Sequence, residues 1–336
     1  MEGPRDGPPP GSGCLLVLCG KSRVEKDQAR SLAAKGSLKL KHDGNEIAIT
    51  LRAAEGEESS LASPEETFRT QMYMGALSTS RFGGFLLWSP CLPSTQDVVS
   101  QNFGELPIGA VCVADFQSRG RGRTKNVWES PAGCLMFSFT VEMEDGRVVP
   151  LLQYVISLAV SEATKEICRA KGLPPLDVKI KWPNDLYLNG LKIGGVLCTS
   201  TYKSKKFSVS AGVGLNLDNE KPTTSLNAVL RGITSVSHQL QREEILAYFF
   251  NNFDHLFEKF LNEGFQALEE LYYRTWLHSG QKVVIKEERG DTAVTIQGLT
   301  PSGYLLAADD ADNLYELHPD GNSLDFFQGL VRRKLG

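Results

Sequence analysis

The chain has 336 residues, 41% of them hydrophobic and 23% charged, with a formal net charge of −4. That balance excludes collagen-like and wholly disordered classes. It also excludes a general affinity for nucleic acid or acidic membrane, so any basic site must be local.

At ~150 residues per domain the length predicts about two domains. Seven cysteines without a CxxC pair, and five histidines without HxxxH or HxH, predict reduced buried thiols and no zinc site. Apolar runs such as Leu151 to Val160 fall well short of the ~20 residues needed to cross a bilayer. Glu2, Arg5 and Asp6, followed by a Pro/Gly run, match neither a secretory signal nor an Arg/Ser-rich transit peptide, which predicts a cytoplasmic protein.

Residues 1–13 are predicted to be disordered. An apolar strand, Leu15 to Cys19, then runs into Gly20-Lys21-Ser22. A phosphate loop would need a further Gly at position 15, which is Leu, so the segment reads as a strand entering a helix. Residues 23–34 have helix-forming composition and Ile47 to Leu51 is strand-like. Residues 53–66 read as a polar linker, with a helix start at Ser63-Pro64-Glu65-Glu66. These signals name no fold for residues 1–80.

Beyond residue 80, Phe85 to Trp88, Ala110 to Ala114 and Cys134 to Val141 read as buried strands. Leu152, Ile156, Ala159, Ala163 and Ile167 are spaced for one helix face, as are Ile245, Phe249, Phe253, Leu256 and Phe260. In Val178 to Trp182 the apolar residues alternate with Lys179 and Lys181. Asn189-Gly190 is a hairpin signal joining Asp185–Leu188 to the strand from Leu191. In the strand that follows Lys203 to Lys206, Ser208, Ser210, Gly212, Gly214 and Asn216 form a small-residue face that admits a ligand close to the backbone. After His278, short strands at about ten-residue spacing predict a small β-barrel.

Three segments carry chemistry. In Gly120 to Gly133 (GRGRTKNVWESPAG), Arg121, Arg123 and Lys125 follow Arg119 in a net-acidic protein. Gly120 and Gly122 let the backbone approach an anion, Arg forks match phosphate and carboxylate oxygens, and Trp128 offers a flat apolar surface. Composition alone also permits a solvated basic loop. An RG-type RNA-binding element fits poorly, because this copy is single and flanked by strands. In Lys181 to Gly190 (KWPNDLYLNG), lysine, amide and carboxylate suit a polyphosphate with a divalent metal, or merely a strand end with a capped turn. GVGLN, Gly212 to Asn216, is the third. Ser94-Thr95-Gln96 reads most simply as a helix N-cap.

In this order, from about Ser94 to the C-terminus, these segments resemble the biotin–protein ligases, or holocarboxylase synthetases. The resemblance includes KIGGVL (Lys192 to Leu197). LYYRTWLHSGQ (Leu271 to Gln281) and HPDGNS (His318 to Ser323) are most like the eukaryotic branch, and the whole is most like plant enzymes. The loop departs from the common GRGRxGRxW at Lys125-Asn126, so its first four residues are the best-matched part. No helix-turn-helix is evident, so an operator-binding role is not expected.

The resemblance implies an α+β fold of the class II synthetase and biotin-ligase kind, a mixed sheet with packed helices and a C-terminal SH3-like β-barrel. The expected division is 1–80 as an N-terminal extension, 81–277 as the catalytic domain and 278–336 as the small β domain. The implied reaction joins biotin to Mg-ATP, releases pyrophosphate, and passes the biotinyl group of biotinyl-5′-AMP to one lysine of an apo biotin-carrier domain. Carboxylases such as acetyl-CoA carboxylase are the implied partners, with no nucleic acid and no membrane.

By similarity, Lys181, Arg121 and Arg123 are catalytic. Ser94, Thr95, Gln117, Gly120, Gly194 and Gly195 surround biotin together with Arg121 and Lys181. Trp128, Asn184 and Asn216 join Arg123 at ATP, and Asp185 is the Mg²⁺ ligand. A lipoate–protein ligase is the nearest alternative, and a nucleic-acid- or metabolite-binding module without catalysis is another. Plant biotin carboxylases also occupy plastids and mitochondria, which makes those compartments the alternatives to the cytoplasm.

Overall fold

The computed structural model describes residues 13–42, 44–54, 67–123, 126–219, 221–235, 239–287, 290–319, 322–325 and 329–333. The expected disorder of the first dozen residues, most of the linker with its helix start at Ser63 to Glu66, and Lys125 lie outside the described residues.

Nine strands form one mixed sheet. Their spatial order is Lys179–Lys181, Asp185–Leu188, Leu191–Lys203, Lys206–Asn216, Cys134–Met143, Val111–Gln117, Phe85–Leu92, Cys14–Gly20 and Ile49–Ala53. Neighbours are antiparallel except for Phe85–Leu92 with Val111–Gln117 and Cys14–Gly20 with Ile49–Ala53. The sheet therefore runs across residue 80, where the sequence suggested a boundary. Strand Cys14–Gly20 pairs with Phe85–Leu92, matching Val17 to Trp88 and Leu18 to Leu87.

The central strands are predominantly apolar because both faces are covered. Val17, Leu86, Trp88, Val111 and Val113 face one core; Leu16, Leu18, Phe85, Leu87 and Cys112 face the other. Helices Leu152–Ala170, Arg242–Glu263 and Gln266–Thr275 cover the first face. Both expected apolar stripes are buried there. Phe137, Phe139, Phe249, Phe250 and Phe253 interlock, mostly edge to face, and each buried ring contributes roughly 1.5–3 kcal/mol. Helices Arg23–Lys35 and Thr95–Gln101 lie on the second face.

Local signals explain the connections. Ser22 caps helix Arg23–Lys35 in a reciprocal box with Glu25, while Lys21 Nζ donates to the carbonyl of Leu77. A Cβ on Gly20 would lie 2.3 Å from the backbone nitrogen of Lys26. The segment is a strand-to-helix entry and not a phosphate loop. Asn189 (φ 50°) and Gly190 (φ 78°) make the expected two-residue hairpin.

The C-terminal strands form a second sheet in the order Leu314–Leu317, Leu305–Ala308, Gly290–Leu299, Lys282–Glu287, Leu330–Arg333 and Asn322–Asp325, which fits an SH3-like domain. Its last two strands were not evident in the sequence. Among the described residues its end strands are not paired with each other.

Candidate active site

A cavity of about 500 Å³ opens over the small-residue face of strand Lys206–Asn216. The glycines there are required by contact. A Cβ on Gly212 would lie 2.7 Å from Gln96 Oε1, and one on Gly214 would lie 2.6 Å from Trp128 Nε1. The Gln96 amide and the Trp128 indole thus lie directly on the backbone of this strand.

At one end, Ser94 begins helix Thr95–Gln101 but makes no side-chain cap bond, contrary to the N-cap expectation. It is 1% exposed and lines the cavity. Beside it runs a fixed polar network. Thr95 donates to Gln117 Oε1 from both its backbone N–H (2.7 Å) and its hydroxyl (3.0 Å), and its hydroxyl also meets Ser138 Oγ at 2.9 Å. Gln117 Nε2 donates to Ser130 Oγ at 3.2 Å. The serine of the SPAG tail therefore ties the arginine loop to this pocket. Such a chain fixes the orientation of its hydroxyl and amide groups.

At the other end the charge is concentrated. Arg121, Arg123, Lys181 and Lys192 line the cavity, with Asp185 the sole carboxylate among its lining residues. Lys181 projects from its strand into the cavity while Ile180 and Trp182 turn into the core, as the alternation predicts. Lys192 Nζ pairs with Asp185 Oδ1 at 2.6 Å and sits 5.5 Å from the Trp128 ring centre. Arg123 Nη1 donates to Asn184 Oδ1 at 3.3 Å, and Asn184 Nδ2 donates to the carbonyl of Val196 at 2.6 Å. A two-residue ribbon, Gly120–Arg121 with Val127–Trp128, brings the arginines and the indole over the sheet.

Two buried polar atoms in this cavity have no hydrogen-bond partner, Gln96 Oε1 and Trp128 Nε1. Buried groups of this kind are ordinarily satisfied, so an acceptor and a donor stand available to a ligand. Among the described residues there is no group of three or more His, Cys, Asp or Glu able to cage a metal. A Mg²⁺ ion carried on phosphate oxygens needs only one or two carboxylates, and Asp185 meets that need.

Ser94, Thr95, Gln117, Arg121, Arg123, Trp128, Lys181, Asn184, Asp185 and Gly195 all border the cavity, so ten residues singled out in the sequence converge. Gly120, Gly194 and Asn216 lie outside its lining. Gly194 packs on Leu186 and the Gly214 carbonyl, and Gly120 packs on the Trp128 carbonyl. Asn216 Nδ2 donates to Thr224 O (3.0 Å) and Thr223 Oγ1 (3.3 Å), so it holds a turn. Lys192, Ser138 and Pro319 also line the cavity and were not singled out. Lys192 opens the KIGGVL strand and was legible as a cation there. Pro319 belongs to the HPDGNS stretch, and nothing local marks Ser138.

Behind Lys181, His278 joins the two sheets. Its Nε2 accepts the Trp182 N–H at 2.9 Å, so Nδ1 carries the proton and meets Gln281 Oε1 at 2.9 Å. Burial, with the charge of Lys181 adding to it, pushes its pKa down to about 4. Trp182 Nε1 donates to the hydroxyl of Tyr154 and the carbonyl of Gly303, which fixes the KWPND turn against the C-terminal sheet.

This sheet and cavity define a ligase of the biotin and lipoate class. Residues 88–216 match the Biotin/lipoate A/B protein ligase family. The chain is 62% identical over 96% of its length to biotin–protein ligase 1, chloroplastic, of Arabidopsis thaliana, covering 88% of that protein. It is 32% identical over 80% of its length to the biotin–protein ligase of Homo sapiens, covering 38% of that one. The biotin protein ligase of Aquifex aeolicus, solved with biotin and ATP, superposes with a TM-score of 0.55 at 26% identity, covering 74% of this chain and 99% of that one. The chain belongs to the biotin–protein ligase family.

Proposed function

We propose that this cavity joins biotin to Mg-ATP and delivers the biotinyl group to a lysine of apo biotin-carrier domains, those of carboxylases such as acetyl-CoA carboxylase. The observation that carries this reading is the meeting of four cations and one carboxylate with a preset hydroxyl–amide pocket over a glycine floor. Ser94, Thr95 and Gln117 take the ureido ring. Trp128 stacks on adenine, and Asn184 steadies Arg123 beside the phosphates.

In the first step a carboxylate oxygen of biotin forms a bond to the α-phosphorus while the bond to the bridging oxygen of pyrophosphate breaks. Two anions must approach, and the fixed cations Arg121, Arg123 and Lys181 offset that repulsion most strongly as charge builds in the transition state. Mg²⁺, with Asp185 as protein ligand, would neutralise charge on the departing pyrophosphate. In the second step the neutral amine of the acceptor lysine attacks the acyl carbon, AMP leaves, and the amine loses a proton. No covalent enzyme intermediate is needed. Arg121 and its ribbon cover the mixed anhydride from water until the acceptor docks.

In this reading the catalytic unit comprises residues 81–277 with the strands Cys14–Gly20 and Ile49–Ala53 that complete its sheet. Residues 278–336 form the small β domain, which reaches the cavity with Pro319. The working compartment in this reading is the cytoplasm, with the plastid or mitochondrion as alternatives; the chloroplastic relative supports the plastid.

The test combines purified protein, biotin, Mg-ATP and an apo carrier domain, and weighs the carrier by mass spectrometry. One added biotinyl group is expected, absent with a Lys→Arg acceptor and absent with lipoate. Addition of lipoate instead would favour the lipoate enzymes. Neither added mass nor pyrophosphate release would leave a binding module without catalysis.

A further inference from the structure

Arg121 is held by a residue that does not border the cavity. Its Nε lies 2.5 Å from Oδ1 of Asp97, in the first turn of helix Thr95–Gln101. Asp97 is buried, its side chain 5% exposed, whereas that of Arg121 is 46% exposed. The second carboxylate oxygen, Oδ2, lies 3.0 Å from Nδ1 of His42. One buried carboxylate thus bridges the arginine loop to the N-terminal region, 55 residues away in sequence from its own position.

The bridge is braced on the same helix. Gln101 accepts the Lys41 N–H at 2.7 Å and donates to the Lys41 carbonyl at 2.8 Å. Asn102 does the same with Lys39, at 2.8 and 2.7 Å. Two side-chain amides therefore pair with the backbone as a neighbouring strand would. Residues 39–42 are fastened along the outer side of the helix whose first turn supplies Ser94, Thr95 and Gln96 to the cavity.

An arginine gripped through Nε keeps both Nη groups for an anion while losing freedom about its long side chain. A hydrogen bond between ionised groups is strong, and stronger still where one partner is buried.

We propose that Asp97 is a positioning residue for Arg121, and that His42 and the strap of residues 39–42 form part of the device that retains the activated intermediate. This rests on the reading of the site as a biotin-activating ligase. The N-terminal region then acts on the first half-reaction and on the holding of its product, from behind the pocket.

The full chain is loaded with radiolabelled biotin and Mg-ATP, freed of excess ligand, and followed for release of biotinyl-AMP. Biotin-dependent pyrophosphate exchange is measured in parallel. Asp97→Asn is expected to shorten the lifetime of the bound adenylate about tenfold and to raise KM for biotin more than it changes kcat. His42→Ala should act in the same direction by about threefold, since it removes one bond from the carboxylate and leaves the other. In the double variant, Asp97→Asn should add nothing to Arg121→Gly, because both remove the same contact.

A purely structural Asp97 would instead lower the melting temperature and give additive losses, which would overturn the proposal. So would an unchanged adenylate lifetime in Asp97→Asn. If Asp97→Asn does not fold, His42→Ala decides alone, and an unchanged lifetime there has the same force. Wild-type protein without biotin-dependent pyrophosphate exchange would bring down the ligase reading together with this one. Wild-type exchange with unchanged variants would bring down only the positioning role.

Discussion

Two halves of the cavity are built differently. Lys181, Asp185, Gly212 and Gly214 lie in strands of the large sheet. Arg121 and Trp128 ride on a ribbon of two residues per strand, and Arg123 lies in the turn between them. Ladder-borne groups hold one position whatever is bound. Ribbon-borne groups can part to admit a ligand and return over it. The sheet half carries fixed charge, Lys181, Lys192 and Asp185, and the loop half carries the two arginines and the indole that lie over it.

Replacement in the sheet half should therefore abolish chemistry, and replacement in the loop half should release what chemistry makes. Lys181→Met should lower kcat for biotin-dependent pyrophosphate exchange about 10³-fold, as loss of a fixed cation at developing charge does. Biotin binding measured by calorimetry should fall far less. Comparable losses of binding and kcat would erase the distinction.

His278, behind Lys181, sharpens it on the stability side. The folded protein keeps this imidazole neutral, with a pKa of about 4 against an ordinary 6.5. Between those values the unfolded chain takes up a proton that the folded one refuses. Stability fully present above about pH 6.5 is therefore lost as pH falls toward 4, by about 3 kcal/mol. Melting temperatures recorded across this range should show a slope that His278→Gln flattens.

In the loop half, Arg121→Gly should shorten the adenylate lifetime about 10²-fold. Escaped biotinyl-AMP would then label lysines outside the carrier domain, and unchanged acceptor specificity in a proximity-labelling assay would refute this. The smallest effect belongs to Trp128→Ala. It should raise KM for ATP about tenfold through loss of stacking while leaving KM for biotin near its wild-type value.

Much of the site was legible because its residues belong to short local patterns. The alternation in Lys206–Asn216 placed Gly212 and Gly214 on one face, and Asn189-Gly190 set the register of the neighbouring strands. Side-chain pairing across distant segments was not legible. Asn216 sits in a recognisable motif, but its amide is engaged by Thr223 and Thr224, a result of how the following turn folds back. Gln96 read as part of a helix start. Only the long-range bonds of its Nε2 to Thr199 Oγ1 and Ser210 O direct its other atom to the cavity. The N-terminal strands were legible as strands, but their place in the sheet was not, because Cys14–Gly20 settles between Phe85–Leu92 and Ile49–Ala53 through pairings that no local signal encodes.

That placement matters for shortening the chain. Removal of residues 1–80 would leave Phe85–Leu92 with an uncovered edge, its backbone donors and acceptors open along FLLW, Phe85 to Trp88. Long apolar edges recruit other chains as strands. The N-terminal strands would then count as protection against self-association, and a truncated protein that stays monodisperse would have to find another cover for that edge.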